Sequence, residues 1–179
     1  MLAVTGANGT GKSTVLKILS GILRPAAGTV RLRVNGQLVM PEARPLHIGC
    51  VMPHVNVYED LTARENLHFI AQVRGLAKSG MRIQEALEAV SLTARANERV
   101  HTFSSGMKQR MKIAAAVLVS PPVLMLDEPT VNMDARGRTL CADLVAGAKA
   151  RGCIVVVASN VAADCQGADK VVCVEDYAR

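Results

Sequence analysis

The stretch Gly6-Ala7-Asn8-Gly9-Thr10-Gly11-Lys12-Ser13 decides the fold of this 179-residue chain. It follows the pattern G-x-x-x-x-G-K-[ST], in which glycines let the backbone fold so tightly that successive N–H groups point at one oxyanion. In such a loop, Lys12 reaches the β- and γ-phosphates of a nucleotide, and the Ser13 hydroxyl ligates Mg²⁺. The stretch therefore predicts a phosphate-binding loop.

The residues on either side of this stretch support the prediction. Met1–Thr5 reads as a short buried strand, and Ser13–Ser20 reads as the start of a helix. The loop would then lie on a helix N-terminus, where the helix dipole and free N–H groups favour phosphate. The alternative, an ordinary glycine-rich turn, does not explain this strand–loop–helix context. The predicted nucleotide-binding residues are Gly6, Ala7, Asn8, Gly9, Thr10, Gly11, Lys12, Ser13 and Thr14.

Composition limits the classes of protein that remain. Half of the residues are hydrophobic, which is enough for the core of one domain, and only 2% are aromatic, so that core is aliphatic. The net charge of +6 comes from scattered basic residues, so we expect no nucleic-acid partner. The longest apolar runs, such as Ile113–Val119, are too short to span a bilayer, and no signal peptide is evident. The five cysteines form no C-x-x-C pair and favour reduced thiols in a cytosolic protein.

Hydrophobic patterning predicts an α/β fold with a mostly parallel sheet and flanking helices. The strand candidates are continuous apolar runs, as expected for a sheet covered on both faces: Leu2–Thr5, Val30–Val34, Val123–Leu126, Ile154–Ala158 and Val171–Val174. Helices are predicted from Thr62 (capping box with Glu65) to Gly75, over Arg82–Val90, over Gly106–Val119, and over Ala135–Arg151 with Asp134 as N-cap. We therefore expect one domain over residues 1–179, with a phosphate-loop core (1–50 and 121–179) and a helical subdomain insertion (about 51–120).

A second part of the nucleotide site follows the strand Val123–Leu126. Asp127 and Glu128 come directly after it, at the carboxyl edge of the predicted sheet, where ligands bind in open α/β folds. Asp127 is predicted to hold Mg²⁺, and Glu128 to orient and deprotonate an attacking water. Alone, the pair would suit a solvated acidic turn equally well, but the phosphate loop favours the catalytic interpretation.

The segment Phe103–Arg110, just upstream, resembles the signature of the ATPase subunits of ATP-binding-cassette (ABC) transporters. The family usually shows Leu-Ser-Gly-Gly-Gln here, so Ser104 and Gly106 match, whereas Ser105 and Met107 do not. The resemblance implies that Ser104 and Gly106 grip the ATP held by a second copy of the subunit. It also identifies Val131–Asp134 as the family's D-loop, with Asp134 near the dimer seam.

The resemblance implies an ATP- and Mg²⁺-dependent ATPase that dimerises around two ATP molecules and drives an integral membrane permease. Its partners would be an identical or second ATPase subunit and the permease, on the cytoplasmic face of the membrane. The segments Ser104–Arg110 and Ile154–Asn160 together resemble the small ATPases related to haem exporters of cytochrome c maturation, a narrower assignment.

This chain departs from the family pattern at three places that contact or respond to ATP in that family. The family begins with further strands that carry an aromatic residue stacked on adenine, and no aromatic residue precedes Gly6. We expect the natural start to lie upstream, although adenine held without that platform is the alternative. The family's Gln after the second strand is absent, and Pro53 or His54 falls at its place. The switch His is Asn160, which donates one hydrogen bond but carries no charge, so we expect reduced hydrolysis with Glu128 and Asn160 as the catalytic residues.

Two rival functions remain at this point. One is a hydrolysis-impaired nucleotide-sensing module, favoured by the changes at the Gln and His positions. The other is a soluble, non-transport ABC ATPase, although such proteins usually carry two cassettes or a long coiled-coil insertion. A GTPase is disfavoured because the guanine-reading sequence Asn-Lys-x-Asp is absent. The signature segment Ser104–Arg110 argues against a GTPase and also against a kinase.

Overall fold

The fold is built around a parallel β-sheet. The computed structural model describes residues 1–177. The strands are β1 (Leu2–Thr5), β2 (Leu32–Val34), β3 (Gln37–Val39), β4 (Ile48–Val51), β5 (Val123–Asp127), β6 (Ile154–Ala158) and β7 (Lys170–Cys173). Within the described chain, five of them form one sheet in the order β4-β5-β6-β1-β7, and every neighbouring pair is parallel. The predicted α/β class is confirmed.

The helices flank this sheet and fill the stretch between β4 and β5. They are α1 (Lys12–Ser20), α2 (Arg44–His47), α3 (Ala63–Val73), α4 (Gly80–Ala89), α5 (Ser105–Val117) and α6 (Ala135–Ala150), joined by short 3₁₀ turns. The four longer helices predicted from capping signals and apolar spacing are present with ends shifted by a few residues. The capping box of α3 is formed as predicted, because the Thr62 side chain accepts from the Glu65 N–H and the Glu65 carboxylate accepts from the Thr62 N–H.

The segment predicted as a strand over Val30–Val34 takes another role. Of this segment, Leu32–Val34 forms β2, which pairs antiparallel with β3 in a separate two-stranded sheet. The turn between them is Asn35-Gly36, with both residues at positive φ (51° and 78°), which is the conformation a two-residue hairpin turn requires. The place in the parallel sheet belongs instead to β4, an apolar run that was not among the predicted strands.

Alternating residues of the strands build two apolar layers, one on each face of the sheet. Leu124 and Val155 point into the layer covered by α3 to α6, while Val4 and Val156 pack with Leu16 of α1 on the opposite face. All five side chains are at most 5% exposed. The sheet is therefore buried on both faces, which fixes its carboxyl edge as the open place for a ligand.

Helix α5 approaches the sheet closely at one point. A Cβ on Gly49 of β4 would lie 2.1 Å from the Ala116 carbonyl oxygen, so only glycine allows this contact. Among residues 1–177, no helix combines the length and apolar character needed to cross a membrane.

Candidate nucleotide site

The predicted phosphate loop connects the end of β1 to the first turn of α1. Gly9 and Gly11 have φ of 87° and 105°, in the left-handed region that favours glycine. Gly11 is the N-cap of α1 and makes no side-chain cap, so the first N–H groups of this helix are directed at the cleft beyond it. The local backbone is that of an anion-binding helix N-terminus.

Lys12 is buried at the centre of this loop, with only 6% of the residue exposed. Its Nζ donates to the carbonyl oxygens of Gly6 at 2.8 Å and Ala7 at 3.0 Å, and it lies 3.7 Å from Glu128 Oε1. The ammonium group therefore lies between the loop and the acidic end of β5. A phosphate entering here would compete with these two carbonyl oxygens for the ammonium group.

A cleft of about 340 Å³ brings the two halves of the predicted site together. Its lining residues come from the loop, from the start of α1 and from the end of β5: Asn8, Gly9, Gly11, Lys12, Ser13, Thr14, Asp127 and Glu128. The hydroxyl of Thr10 is occupied by the Ala7 carbonyl oxygen at 3.0 Å. Loop and carboxylates, more than one hundred residues apart in sequence, thus face one shared space.

The carboxylate of Asp127 suits a divalent cation. Asp127 is 4% exposed, and neither of its oxygens has a hydrogen-bond partner within the described residues. A buried carboxylate without partners is costly unless a ligand completes it. The half-buried Ser13 lines the same cleft. These oxygens fit Mg²⁺, which binds through one or two protein oxygens together with nucleotide phosphates.

Glu128 is held in an unusual backbone conformation at the end of β5. Its φ is 46°, and its N–H extends the sheet by donating to the Ala158 carbonyl oxygen at 2.8 Å. Its carboxylate is reached by two side chains, since Oε2 lies 3.1 Å from Ser159 Oγ and Oε1 faces Lys12. The side chain is 30% exposed, so water has access to it.

Asn160, at the switch position after β6, lies against the phosphate loop. Its Nδ2 donates to Asn8 Oδ1 at 3.1 Å. The two exposed side chains therefore connect the end of β6 to the phosphate loop, and Asn160 itself is not among the described residues that line the cleft. A neutral amide at this place supplies one donor and no charge.

The two candidates for the place of the missing Gln, Pro53 and His54, differ in their surroundings. Pro53 lines a second cleft of about 290 Å³ together with Asp127 and Glu128, whereas His54 is not among the described residues that line it. Pro53 therefore shares a cleft with the two carboxylates, whereas His54 does not line that cleft. Pro53 lies beside the carboxylates, and its ring offers neither a donor nor an acceptor.

The signature residues lie apart from the phosphate cleft of the same chain. Ser104 caps α5 by accepting from the Met107 N–H at 3.3 Å, and Asp134 caps α6 by accepting from the Gly137 N–H at 2.8 Å. A Cβ on Gly106 would lie 2.9 Å from the Asn132 carbonyl oxygen, so the signature segment packs directly on the D-loop backbone. None of the three predicted residues lines the phosphate cleft within residues 1–177.

Several contacts of the site were missed by sequence reasoning. Gln109 of α5 donates to the Pro129 carbonyl oxygen at 3.0 Å, which ties the signature helix to the end of β5. Glu175, after β7, accepts from the Ala7 N–H at 2.8 Å, and this bond, with a second from the Cys173 thiol, lowers the pKa of Glu175. Gln109 lies inside the segment that resembles the family signature, but the segment does not indicate its partner. Glu175 belongs to no contiguous motif, and only the sheet order could have indicated its contact with the loop.

The fold and the cleft define a phosphate-loop nucleotide-binding protein, and comparison with known proteins gives its family. The family model described as ABC transporter matches residues 1–131, and the chain belongs to this family. A solved "ATP binding subunit of ABC transporter" superposes with a TM-score of 0.84 at 30% identity, covering 97% of this chain and 73% of that one. A dimeric post-hydrolysis cassette bound to ADP and Pi, MJ0796, gives 0.81 at 24% identity, covering 97% and 80%, and supports the fold alone.

Curated relatives are named for resistance or for export. The chain is 36% identical over 159 residues to the linearmycin resistance ATP-binding protein LnrL of Bacillus subtilis (strain 168), covering 87% of this chain and 50% of the relative. It is 36% identical to the daunorubicin resistance ATP-binding protein DrrA3 of Streptomyces coeruleorubidus (88% and 50%). It is 35% identical to the Nod factor export ATP-binding protein I of Paraburkholderia xenovorans (strain LB400) (87% and 52%). The chain spans about half the length of these relatives.

Proposed function

We propose that this chain binds and hydrolyses Mg²⁺-ATP as the nucleotide-binding part of an ABC exporter. The observation that carries the proposal is the cleft in which the phosphate loop and the Asp127–Glu128 edge meet around Lys12. A cation, unpaired helix N–H groups and an orphaned carboxylate together match the charges of a metal-bound triphosphate.

Each residue has a separate task in this proposal. Lys12 leaves the carbonyl oxygens of its own loop and donates to the β- and γ-phosphates, while the N–H groups at the start of α1 surround the β-phosphate. Ser13 and Asp127 would hold Mg²⁺, which would neutralise charge that develops on the phosphates. Glu128 accepts the proton of the attacking water, and Asn160 donates its amide to a γ-phosphate oxygen.

We propose that hydrolysis requires a second ATPase subunit. Ser104, Gly106 and Asp134 lie outside the phosphate cleft of their own chain, so they act on nucleotide only if a second subunit presents them. The compact packing of the signature segment on the D-loop would let both move as one body when two subunits close. Differential affinity of the closed pair for ATP over ADP would then move the partner protein.

We further propose that an exposed apolar groove docks the permease. The groove, about 370 Å³, lies between the sheet and α3, and its exposed apolar members include Ile22, Tyr58 and Val73. Within the described chain, its charged lining residues are Arg74 and Lys112, both basic. The occupant that fits is a short apolar segment of the permease bearing a carboxylate. The chain would then sit peripherally on the cytoplasmic face, and we extend export from the named relatives to it, with haem export as the narrower hypothesis.

Titration calorimetry with Mg²⁺-ATP tests the proposal. Lys12→Ala is expected to weaken binding about 10- to 100-fold, because hydrogen bonds to charged groups contribute about 1.5–3 kcal/mol. Lys17→Ala, which removes a lysine from the same helix outside the cleft, is the matched control and should bind as the parent does. Equal affinity of the parent and Lys12→Ala would refute the assignment.

The rival function, a nucleotide sensor that scarcely hydrolyses, is favoured by Pro53 and Asn160 at the two reporting positions. Measuring ATP binding and phosphate release on the same sample separates the two functions. Tight binding with phosphate release no faster than in a Glu128→Gln variant would establish the sensor.

A further inference from the structure

The end of β6 carries a hydrogen-bonded chain of side chains that leads to Glu128. Ser159 Oγ lies 3.1 Å from Glu128 Oε2 and 2.7 Å from Asp164 Oδ2. Thr130 Oγ1 donates to the other oxygen of Asp164 at 2.7 Å. Ser159 is 1% exposed and Thr130 is 9% exposed, so the two hydroxyls are shielded from water, whereas the two carboxylates are only partly buried.

This network has few donor hydrogens, and their number decides which of its groups can be hydrogen-bonded at the same time. The Val161 N–H donates to Ser159 Oγ at 3.0 Å, which leaves the hydroxyl to act as a donor. A serine hydroxyl carries one hydrogen, so it serves one of the two carboxylates at a time. Because Thr130 already donates to Asp164, that carboxylate keeps a partner when Ser159 turns its hydrogen toward Glu128.

We propose that Ser159 is a positioning residue that holds the Glu128 carboxylate where it can take the proton of the attacking water. Glu128 follows directly on β5, and its side chain has no other side-chain donor within hydrogen-bonding distance in the described chain; Lys12 lies 3.7 Å away, and the proposed function moves Lys12 onto phosphate when ATP binds. The hydroxyl of Ser159 is then the contact that remains. The proposal thus rests on the proposed hydrolysis and adds the residue that orients its base.

Two cysteine thiols near these carboxylates have raised pKa values. Burial raises the pKa of Cys141 to about 12, with Asp164 adding to the effect, so this thiol brings no negative charge to the network near neutral pH. Burial also raises the pKa of Cys165, and both Asp164 and Glu128 contribute. Both carboxylates therefore contribute to raising the pKa of the half-buried Cys165 thiol, which agrees with their shared contact through Ser159.

The experiment compares variants with single substitutions for the turnover number and for the ATP dissociation constant. Ser159→Ala is expected to lower kcat about 10-fold or more, since one hydrogen bond to a charged group is lost, with ATP affinity changed less than twofold. Ser159→Thr keeps the hydroxyl and should retain most of the turnover. Ser20→Ala, which removes another buried hydroxyl that donates to a backbone carbonyl oxygen in α1, is the matched control and should leave kcat unchanged.

A double-mutant cycle separates positioning from general structural damage. Asp164 competes with Glu128 for the Ser159 hydrogen, so Asp164→Ala should keep or raise kcat in the parent and change it little in the Ser159→Ala background. A loss of kcat from Asp164→Ala in either background, a parent-like Ser159→Ala, or a Ser159→Thr as slow as Ser159→Ala at unchanged thermal stability would each overturn the proposal. If turnover depends on Glu128 but not on Ser159, this inference alone fails; if Glu128→Gln leaves turnover unchanged, the proposed function fails with it.

Discussion

The two sides of the nucleotide cleft differ in how completely they are equipped. On the phosphate-loop side, Lys12 is buried, and Asp127, which lines the same cleft, has no hydrogen-bond partner for its carboxylate oxygens among residues 1–177. On the reporting side, the family resemblance predicts Pro53 or His54 in place of a Gln, and Asn160 in place of a His. Grip on phosphate depends largely on backbone N–H groups and one cation, whereas response to hydrolysis depends on particular side-chain donors. In this chain the first set is intact and the second is altered.

The largest effect should come from disabling the intact side. Glu128→Gln removes the general base while keeping the shape of the side chain, and kcat is expected to fall about 100- to 10,000-fold. Phosphate release under saturating Mg²⁺-ATP measures this. ATP affinity, followed in the same preparation, should stay close to that of the parent, and a parent-like kcat would show that the base lies elsewhere.

A second change separates the metal from the fold. Asp127→Asn removes the charge of a buried carboxylate that has no partner in the described residues, so we expect the free energy of unfolding to rise by about 1–3 kcal/mol in the absence of nucleotide. The same change should abolish the gain in ATP affinity that Mg²⁺ gives to the parent. Denaturant unfolding and calorimetry with and without EDTA test the two parts. A less stable variant that still responds to Mg²⁺ would contradict the metal assignment.

Replacing the neutral donor at position 160 by one that can carry a charge should raise the turnover number. Asn160→His introduces a side chain that can carry a proton, and we expect kcat to rise about tenfold, the difference between a neutral and a charged hydrogen bond. Asn160→Ala is the control, which should fall below the parent. If His and Ala behave alike in steady-state turnover, this position does not contact the γ-phosphate.

The smallest effect is expected far from the cleft. Thr62→Ala removes the capping box of α3 and should cost about 1 kcal/mol of unfolding free energy without changing ATP affinity. The Thr62 N–H lowers the pKa of Glu65, so the stabilisation is present above the carboxyl's unfolded value and is lost as the pH falls through the lowered one. The stability difference between Glu65→Gln and the parent should therefore shrink on acidification; a constant difference would mean that the cap does not depend on ionised Glu65.

Sequence was most informative where the chemistry is contiguous. The run through Lys12 predicted a loop, its helix and its ligand together, and the apolar runs before Glu128 and Asn160 predicted strands that the structure contains. It was least informative for short exposed strands, since the hairpin around Asn35 has only three residues on each side. The contacts of Ser159 depend on which strands become neighbours in the sheet, and no local pattern encodes that.

The pairing of β1 has a consequence for synthesis. Its strand partners are β6 and β7, and the bond from Ala7 to Glu175 joins residues 168 positions apart. Contacts of such high sequence separation form late, because the intervening polymer must first be ordered. On the ribosome, β1 and its glycine-rich loop would lack β6 and β7 until residues 154–173 have emerged, so this apolar segment would be exposed to aggregation or to chaperones during translation.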